Sequence, residues 1–462
     1  MTLRRSVDIT PQQLLALHAA NPRRYPALLE SAAAGEPLGR FDILFAFPGA
    51  RLTLHGPGRL TDERGAASAG RFLEALDAWW RREHAPSAAG DADRSLPFTG
   101  GWLLYLGYEL AGEIEPRLVR PGRWNWGPGP IAQAVRVPAA LIYEHGSGRG
   151  WLIAEPGAEA LLEDMARDLE ATGAPPAAPP ERLALTIEED PPEQYLRAVQ
   201  RGLEYIAAGD IYQTNLSRGW RAELAPGVLP QHVYARLRQT NPGPFSGLAV
   251  LDDLAIVSSS PERLIEVRDG WIATRPIAGT RPRGKDAQSD NDLARELHGH
   301  PKERAEHVML IDLERNDLGR VCEAGTVVVD EFMTIESYAH VHHIVSNIRG
   351  RLRPQVTPGE ALAAVFPGGT ITGCPKVRCM EIIAEQEGTA RGAYTGSLGY
   401  LNRDGSMDMN ILIRTFEVRG STLTLRAGAG IVADSVPERE LQEARQKAFG
   451  LLRALGEEPS SS

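Results

Sequence analysis

The chain has 462 residues, 42% of them hydrophobic and 24% charged, which is ordinary globular usage and excludes wholesale disorder. Acidic residues outnumber basic ones by 60 to 50, a formal net charge of −10, so an overall basic footprint for nucleic acid is missing. The length predicts about three domains or one large two-lobed body. No run approaches the roughly 18 apolar residues of a membrane span. The opening MTLRRSVDITPQQ lacks the apolar core of a secretory signal, and the three cysteines form no CxxC pair. These features point to a cytoplasmic protein with no membrane partner.

Two loop-like stretches punctuate the first half: HAPSAAGDADRSLP (His84–Pro97) and GAPPAAPPE (Gly173–Glu181). The second carries four prolines in nine residues, which forbids helix interior and central strand alike. It is read as the connection at 173–181 between an N-terminal lobe (1–172) and a C-terminal lobe (182–456), with a short tail at 457–462. Beyond it, Tyr195, Leu196, Val199, Leu203 and Ile206 recur at helical spacing, and Gly209 sits where that helix would stop. IYQTNLSRGW (Ile211–Trp220) reads as a strand. From Gly247 to Ile277 come the short β-rich runs LAVLDD, LAIVSSS, RLIEV and WIATRPI, whose close spacing favours antiparallel pairing. Helices are predicted near Lys302–Arg315, Pro358–Ala364 and Pro437–Leu455, and strands around GSLGYL, MNILIRTFEV and STLTLRAGAGIV. The fold class is α+β, with large antiparallel sheets and helices packed outside.

Several motifs invite a chemical reading. FPGGTITGCPK (Phe366–Lys376) has two glycines at phosphate-loop spacing, but Cys374 and Pro375 stand where lysine and a hydroxyl are needed, so Walker mechanics fail. No G-x-S-x-G or G-x-C-x-G elbow exists, which removes a hydrolase or glutaminase nucleophile. Glu303 and Glu306 share one helix face, as do Glu440 and Glu443, with Lys447 one turn further on. Two such faces across a cleft would offer hard oxygens suited to Mg²⁺, although spacing alone favours solvated helix faces. On a strand His340 and His342 would share one side and His343 the other, which disfavours a three-histidine metal site. PIAGTRPRG (Pro276–Gly284) is read as a loop, either an ordinary surface turn or a place for anion contacts.

Taken in order, YQTNLSR, SSSPERL, RPIAGTRPRG, ERAEHVMLIDLERNDLGRV, VHHIVS, FPGGTITGCPKVRCMEII, GAYTGSLGY, ILIRT and AGAGIVADSVPERELQEARQKA resemble the chorismate-utilising enzymes from about Pro191 onward. PALLESAAAG and GGWLLYLGYEL resemble the more variable N-terminal lobe of that family. The resemblance implies a two-sheet sandwich with the active site in the C-terminal lobe and chorismate as substrate. It implies that Glu306 and Glu443 bind Mg²⁺, with Glu303 and Glu440 close by through water, and that the metal meets the ring carboxylate. Arg414, Tyr394, Gly430 and Lys447 resemble residues that hold the substrate carboxylates, with Gly279 and Thr280 also substrate-binding. Thr370 and His343 resemble residues that flank the ring, and Glu262 matches the general acid. Gln213 stands where isochorismate-forming members keep a lysine base, which disfavours water activation and points to amination.

Two aminating branches share this pattern. Asn215, Gly369, Thr372 and VHHIVS resemble aminodeoxychorismate synthases, which is the preferred expectation. Ala278, where many of those enzymes carry a lysine, resembles anthranilate synthases, and so does LLES (Leu28–Ser31), which is similar to their tryptophan-sensing segment. The resemblance also implies a separate glutamine amidotransferase subunit that delivers ammonia. A non-catalytic binding subunit would be expected to lack a metal glutamate, Glu262 or Lys447, and all are present.

Overall fold

The computed structural model describes residues 2–32, 39–86, 95–120, 122–172, 180, 182–337 and 341–456. His340, the tail at 457–462 and all of the proline-rich connection except Pro180 lie outside the described residues.

Two antiparallel sheets, each with twelve strands among the described residues, make up the body. Strict alternation along the strands explains why they face each other. In Phe245–Leu251, Ala249 and Leu251 join the apolar layer between the sheets, while Leu248 points to the opposite side. In Leu254–Ser260, Leu254 and Ile256 face inward and Ala255 and Val257 outward. Strands buried on both faces read as near-continuous apolar runs, as LAIV does. Phe45, Phe98 and Tyr400 meet edge-on or tilted in the layer between the sheets. Outside one sheet lie helices such as Pro11–Ala20, Pro230–Thr240 and Pro437–Leu455; outside the other lie Phe72–Glu83 and Pro358–Val365.

Both sheets run across the expected lobe boundary. Ala27–Glu30 pairs with Phe245–Leu251 in one, and Gly101–Leu106 pairs with Ser397–Asn402 in the other. The N-terminal stretch therefore completes the same two sheets that the later residues build. Among the described residues no helix is long and apolar enough to cross a membrane.

The expected helices at 302–315, 358–364 and 437–455 appear as Pro301–Gly319, Pro358–Val365 and Pro437–Leu455, each with proline in its first turn, where the missing N–H costs nothing. The helix read from Tyr195 spans Pro192–Ala207, and Gly209 follows it at φ +79°. Two expectations are corrected. MNILIRTFEV is not one strand: Met407–Asn410 lies in one sheet and Thr415–Arg419 in the other. The chain changes sheets between them, with Arg414 in the left-handed region at φ 54°. Nor is PIAGTRPRG a loop. Ile277–Pro282 is an edge strand paired with Val341–Arg351, bulged at Gly279.

Candidate active site

Glu262 follows the strand Leu254–Ser260 and is 4% exposed. Its N–H donates to Ser260 Oγ (3.2 Å), and its carbonyl accepts from Ile411 N–H (3.0 Å), which locks the turn. Burial pushes its carboxyl up to about 8; Thr370 and the Ile277 N–H oppose this, Glu314 adds to it and Lys447 lowers it. A carboxyl in that state holds a proton at neutral pH and is able to donate it.

Around this acid the structure gathers Thr370, in the short turn Gly369–Ile371, and the strand Ile277–Pro282. That strand carries Ala278, buried and paired with Ile344, and Thr280, whose Oγ1 lies 2.9 Å from His343 Nδ1. Desolvation pushes His343 down to about 4, so its imidazole is neutral. His342 and His343 diverge as their alternation requires: His342 bonds Asp290 (2.9 Å) and Ser337 (2.7 Å) instead.

Further candidate residues lie on the paired strands Gln213–Leu224 and Thr422–Ile431. A Cβ on Gly430 would collide with the Gln213 side-chain amide, so glycine there lets that amide lie flat against the strand. Gln213 Oε1 and Asn215 Oδ1 are buried without hydrogen-bond partners among the described residues. Orphaned buried acceptors are costly unless a ligand or water meets them.

Arg414 and Lys447 bring positive charge. The Arg414 guanidinium is buried and donates to the Lys447 carbonyl (2.9 Å), yet no carboxylate lies within ion-pair range of it among the described residues. Desolvation pulls its pKa down. A buried guanidinium with no ion-pair partner among the described residues fits a substrate carboxylate. Lys447 Nζ bonds Glu443 (2.7 Å) and the Gly428 carbonyl (3.0 Å). Tyr394 is buried beneath the Arg391 guanidinium, 5.5 Å from its ring centre.

The four glutamates come from two helices. Glu306, half-buried, is pushed up to about 6 by desolvation; Lys302 pulls it down, and Glu303, Glu443 and Glu440 raise it further. Glu440 is raised as well, by desolvation and then by Glu443 among others. Glu303 pairs with Arg281 (3.3 Å), and Glu443 with Lys447. Gly279, at φ +65°, allows the edge strand to pass close by, because a Cβ there would sit 2.9 Å from Glu303 Oε2. Among the described residues no three His, Cys, Asp or Glu side chains are gathered in a metal-holding arrangement. The hard carboxylate oxygens and their mutual repulsion nonetheless fit a divalent cation by donor chemistry.

Sequence reasoning missed Glu314, Asp317 and Lys376. Glu314 and Asp317 lie on the buried stripe of helix Pro301–Gly319 with Leu310, Ile311 and Leu318, and Lys376 forms an ion pair with Asp317. Acidic residues at the spacing of an apolar stripe were the available signal.

The family model for chorismate binding enzymes matches residues 29–453. The chain belongs to the chorismate-binding enzyme family. The match reaches well before Pro191, in keeping with sheets that both halves of the chain build. Among members of this family, anthranilate synthase component 1 of Thermus thermophilus is 43% identical over 93% of this chain and 91% of its own length. Aminodeoxychorismate synthase component 1 of Bacillus subtilis is 38% identical over 94% and 93%. Among solved structures, anthranilate synthase component I from Streptococcus pneumoniae superposes with a TM-score of 0.77 at 31% identity, covering 90% of this chain and 93% of that one. The chain is thus similar both to anthranilate synthase and to aminodeoxychorismate synthase components.

Proposed function

We propose that this chain aminates chorismate to 4-amino-4-deoxychorismate, using ammonia supplied by a separate glutamine amidotransferase. The observation that carries this reading is a buried acid, Glu262, whose carboxyl burial pushes up to about 8, together with a neutral amide at position 213, whose Oε1 is buried without a hydrogen-bond partner among the described residues. Such a site is able to expel a hydroxyl but offers no base at position 213 to activate water. Similarity to the Bacillus subtilis aminodeoxychorismate synthase supports it, as do Asn215, Gly369 and Thr372.

Chorismate carries two carboxylates. Arg414, Lys447 and Tyr394 would bind and orient them, while Thr370 and His343 flank the ring. Glu262 protonates the departing hydroxyl at carbon 4, which leaves as water. Ammonia finishes at carbon 4, and its surplus proton restores the acid, so that chorismate plus ammonia gives product plus water. Glu306 and Glu443, with Glu303 and Glu440 beside them, are the residues that would hold Mg²⁺, which when bound supplies positive charge for the ring carboxylate.

Position 278 tests the product. Without an amine there, no ring adduct forms through that residue, so the first addition at carbon 2 falls to water or ammonia as the carbon-4 hydroxyl leaves, and the added group departs from carbon 2 when ammonia enters at carbon 4. Incubation with chorismate, Mg²⁺ and ammonium is expected to yield 4-amino-4-deoxychorismate by mass, with no adduct on residue 278 after acid quench. Ala278→Lys would open the covalent route only if the buried amine is partly neutral, which desolvation favours. Anthranilate and pyruvate as sole products of the wild type would overturn the assignment.

The ammonia source gives a second test. Burial pushes the thiols of Cys322, Cys374 and Cys379 up, Cys322 to about 11, so none is a ready thiolate for glutamine. The isolated chain is expected to work with ammonium salts and to be inactive with glutamine until an amidotransferase is added. Its rate should rise with pH as free ammonia increases, then fall as Glu262 loses its proton near 8. Glutamine-driven amination by this chain alone, free of contaminating glutaminase, would refute the two-subunit reading.

A second reading has one specific observation behind it. LLES, whose resemblance is to a tryptophan-sensing segment, forms part of the wall of a cavity of about 260 Å³ between the sheets, with Glu30, Ser31, Arg263, Tyr400 and Asp408 among its lining. That placement favours anthranilate synthase. Inhibition of turnover by tryptophan together with anthranilate as product would establish it.

A further inference from the structure

Glu314 is a buried carboxyl that the reaction described above does not use, and it lies near enough to the acid for its charge to raise Glu262. It is 4% exposed and makes no ion pair among the described residues. One carboxylate oxygen accepts the Gly369 N–H (3.1 Å), and the other accepts from Thr274 Oγ1 (3.0 Å). Gly369 precedes Thr370, and Thr274 lies three residues before Ile277; these are the two groups that approach the Glu262 carboxyl. A Cβ on Gly369 would sit 3.0 Å from Glu314 Oε1 and 2.6 Å from Leu313 Cδ2, so the turn closes onto the helix only with glycine there.

We propose that Glu314 is a positioning residue for the general acid: it pins the Gly369–Thr370 turn to the strand Trp271–Arg275 and sets a second buried acid near Glu262. The assignment rests on the reading of Glu262 as proton donor. The charged groups around the pair are few. On the same helix Asp317 raises Glu314, and from the start of helix Lys376–Glu387 Lys376 lowers it. Lys376 is itself tied to Asp317 and to the Val365 carbonyl (3.0 Å), and Arg320 also faces Asp317. From helix Pro437–Leu455, Lys447 faces Glu262. Burial raises both carboxyls, and the charge of Glu314 raises Glu262 further. Burial holds Glu314 at about 7, so its charge grows through neutral pH and there helps to keep the proton on its neighbour.

Glu314→Gln preserves an acceptor for Gly369 and a polar partner for Thr274 while removing the charge. The protonated Glu262 carboxyl can be followed by infrared difference spectroscopy, its band assigned by subtraction of Glu262→Gln, with no turnover required. In Glu314→Gln its midpoint is expected to fall by about one pH unit, and the alkaline limb of chorismate consumption to fall with it. Glu314→Ala also leaves the Gly369 N–H unpaired, so the KM for chorismate should rise about tenfold above that of Glu314→Gln. An unchanged Glu262 midpoint in folded Glu314→Gln would overturn the proposal. So would a Glu314→Ala variant whose only change is a lower Tm. A product other than 4-amino-4-deoxychorismate would defeat the product assignment while leaving the infrared result to decide the role of Glu314.

Discussion

Glu262→Gln is expected to lower turnover of chorismate by roughly 10²- to 10⁴-fold, the range for loss of a positioned general acid. The substitution keeps the shape, the Ser260 contact through the backbone and the Thr370 neighbour, so chorismate binding should survive. Kinetics under single-turnover conditions, with binding measured separately, check the split between the two. The same variant carries a stability signature. The folded carboxyl sits near 8 against an ordinary 4.5, so the folded chain binds this proton more tightly than the unfolded chain. Its contribution is fully present below about 4.5 and is lost as pH rises through about 8. Glutamine has no proton to lose, so melting curves should show the variant gaining on wild type as the buffer becomes more alkaline. Wild-type turnover by Glu262→Gln would make Glu262 structural and place the acid elsewhere.

The helices were legible because their signals are local. Tyr195 and Val199 are buried at helical spacing, and proline marks the first turn of Pro192–Ala207. The strands were legible as runs, but their ends were not. Ile411 and Leu412 are adjacent apolar residues that enter different core clusters, and nothing in ILIRT announces the sheet change that Arg414 completes. PIAGTRP carries proline and glycine, which read as a turn, yet Gly279 forms a bulge in a paired edge strand. At the site, spacing put Glu303 with Glu306 and Glu440 with Glu443, but could not show that Glu440 and Glu443 come near enough to raise Glu306. The protonation state of Glu262 comes from burial by segments far away in the chain, so SPER alone cannot display it. Glu314 stood inside a quoted motif and still escaped notice, because its role depends on contacts to Gly369 and Thr274 from two other elements.

Glu443→Gln is expected to reduce turnover by at least about 100-fold at low Mg²⁺, with partial recovery in excess Mg²⁺, since one charged oxygen donor for a hard cation is removed. Loss of the Lys447 ion pair is a weak rival explanation. Glu443 and Lys447 are 48% and 34% exposed, and a pair so open to solvent contributes little. Thermal melts separate the two accounts without any assay of turnover. Glu303, Glu443 and Glu440 all raise Glu306, so without a cation the group is under mutual repulsion. Removing one charge relieves it, and in chelator Glu443→Gln should melt at or above wild type. Mg²⁺ that binds only the folded chain adds stability according to its concentration relative to Kd. Wild type should therefore overtake the variant as Mg²⁺ is added, and Glu306→Gln should repeat that crossing. Melting curves that ignore Mg²⁺ in all three proteins, or wild-type turnover that survives exhaustive chelation, would remove these glutamates from any metal role and leave Arg414 and Lys447 to hold the substrate carboxylates without it.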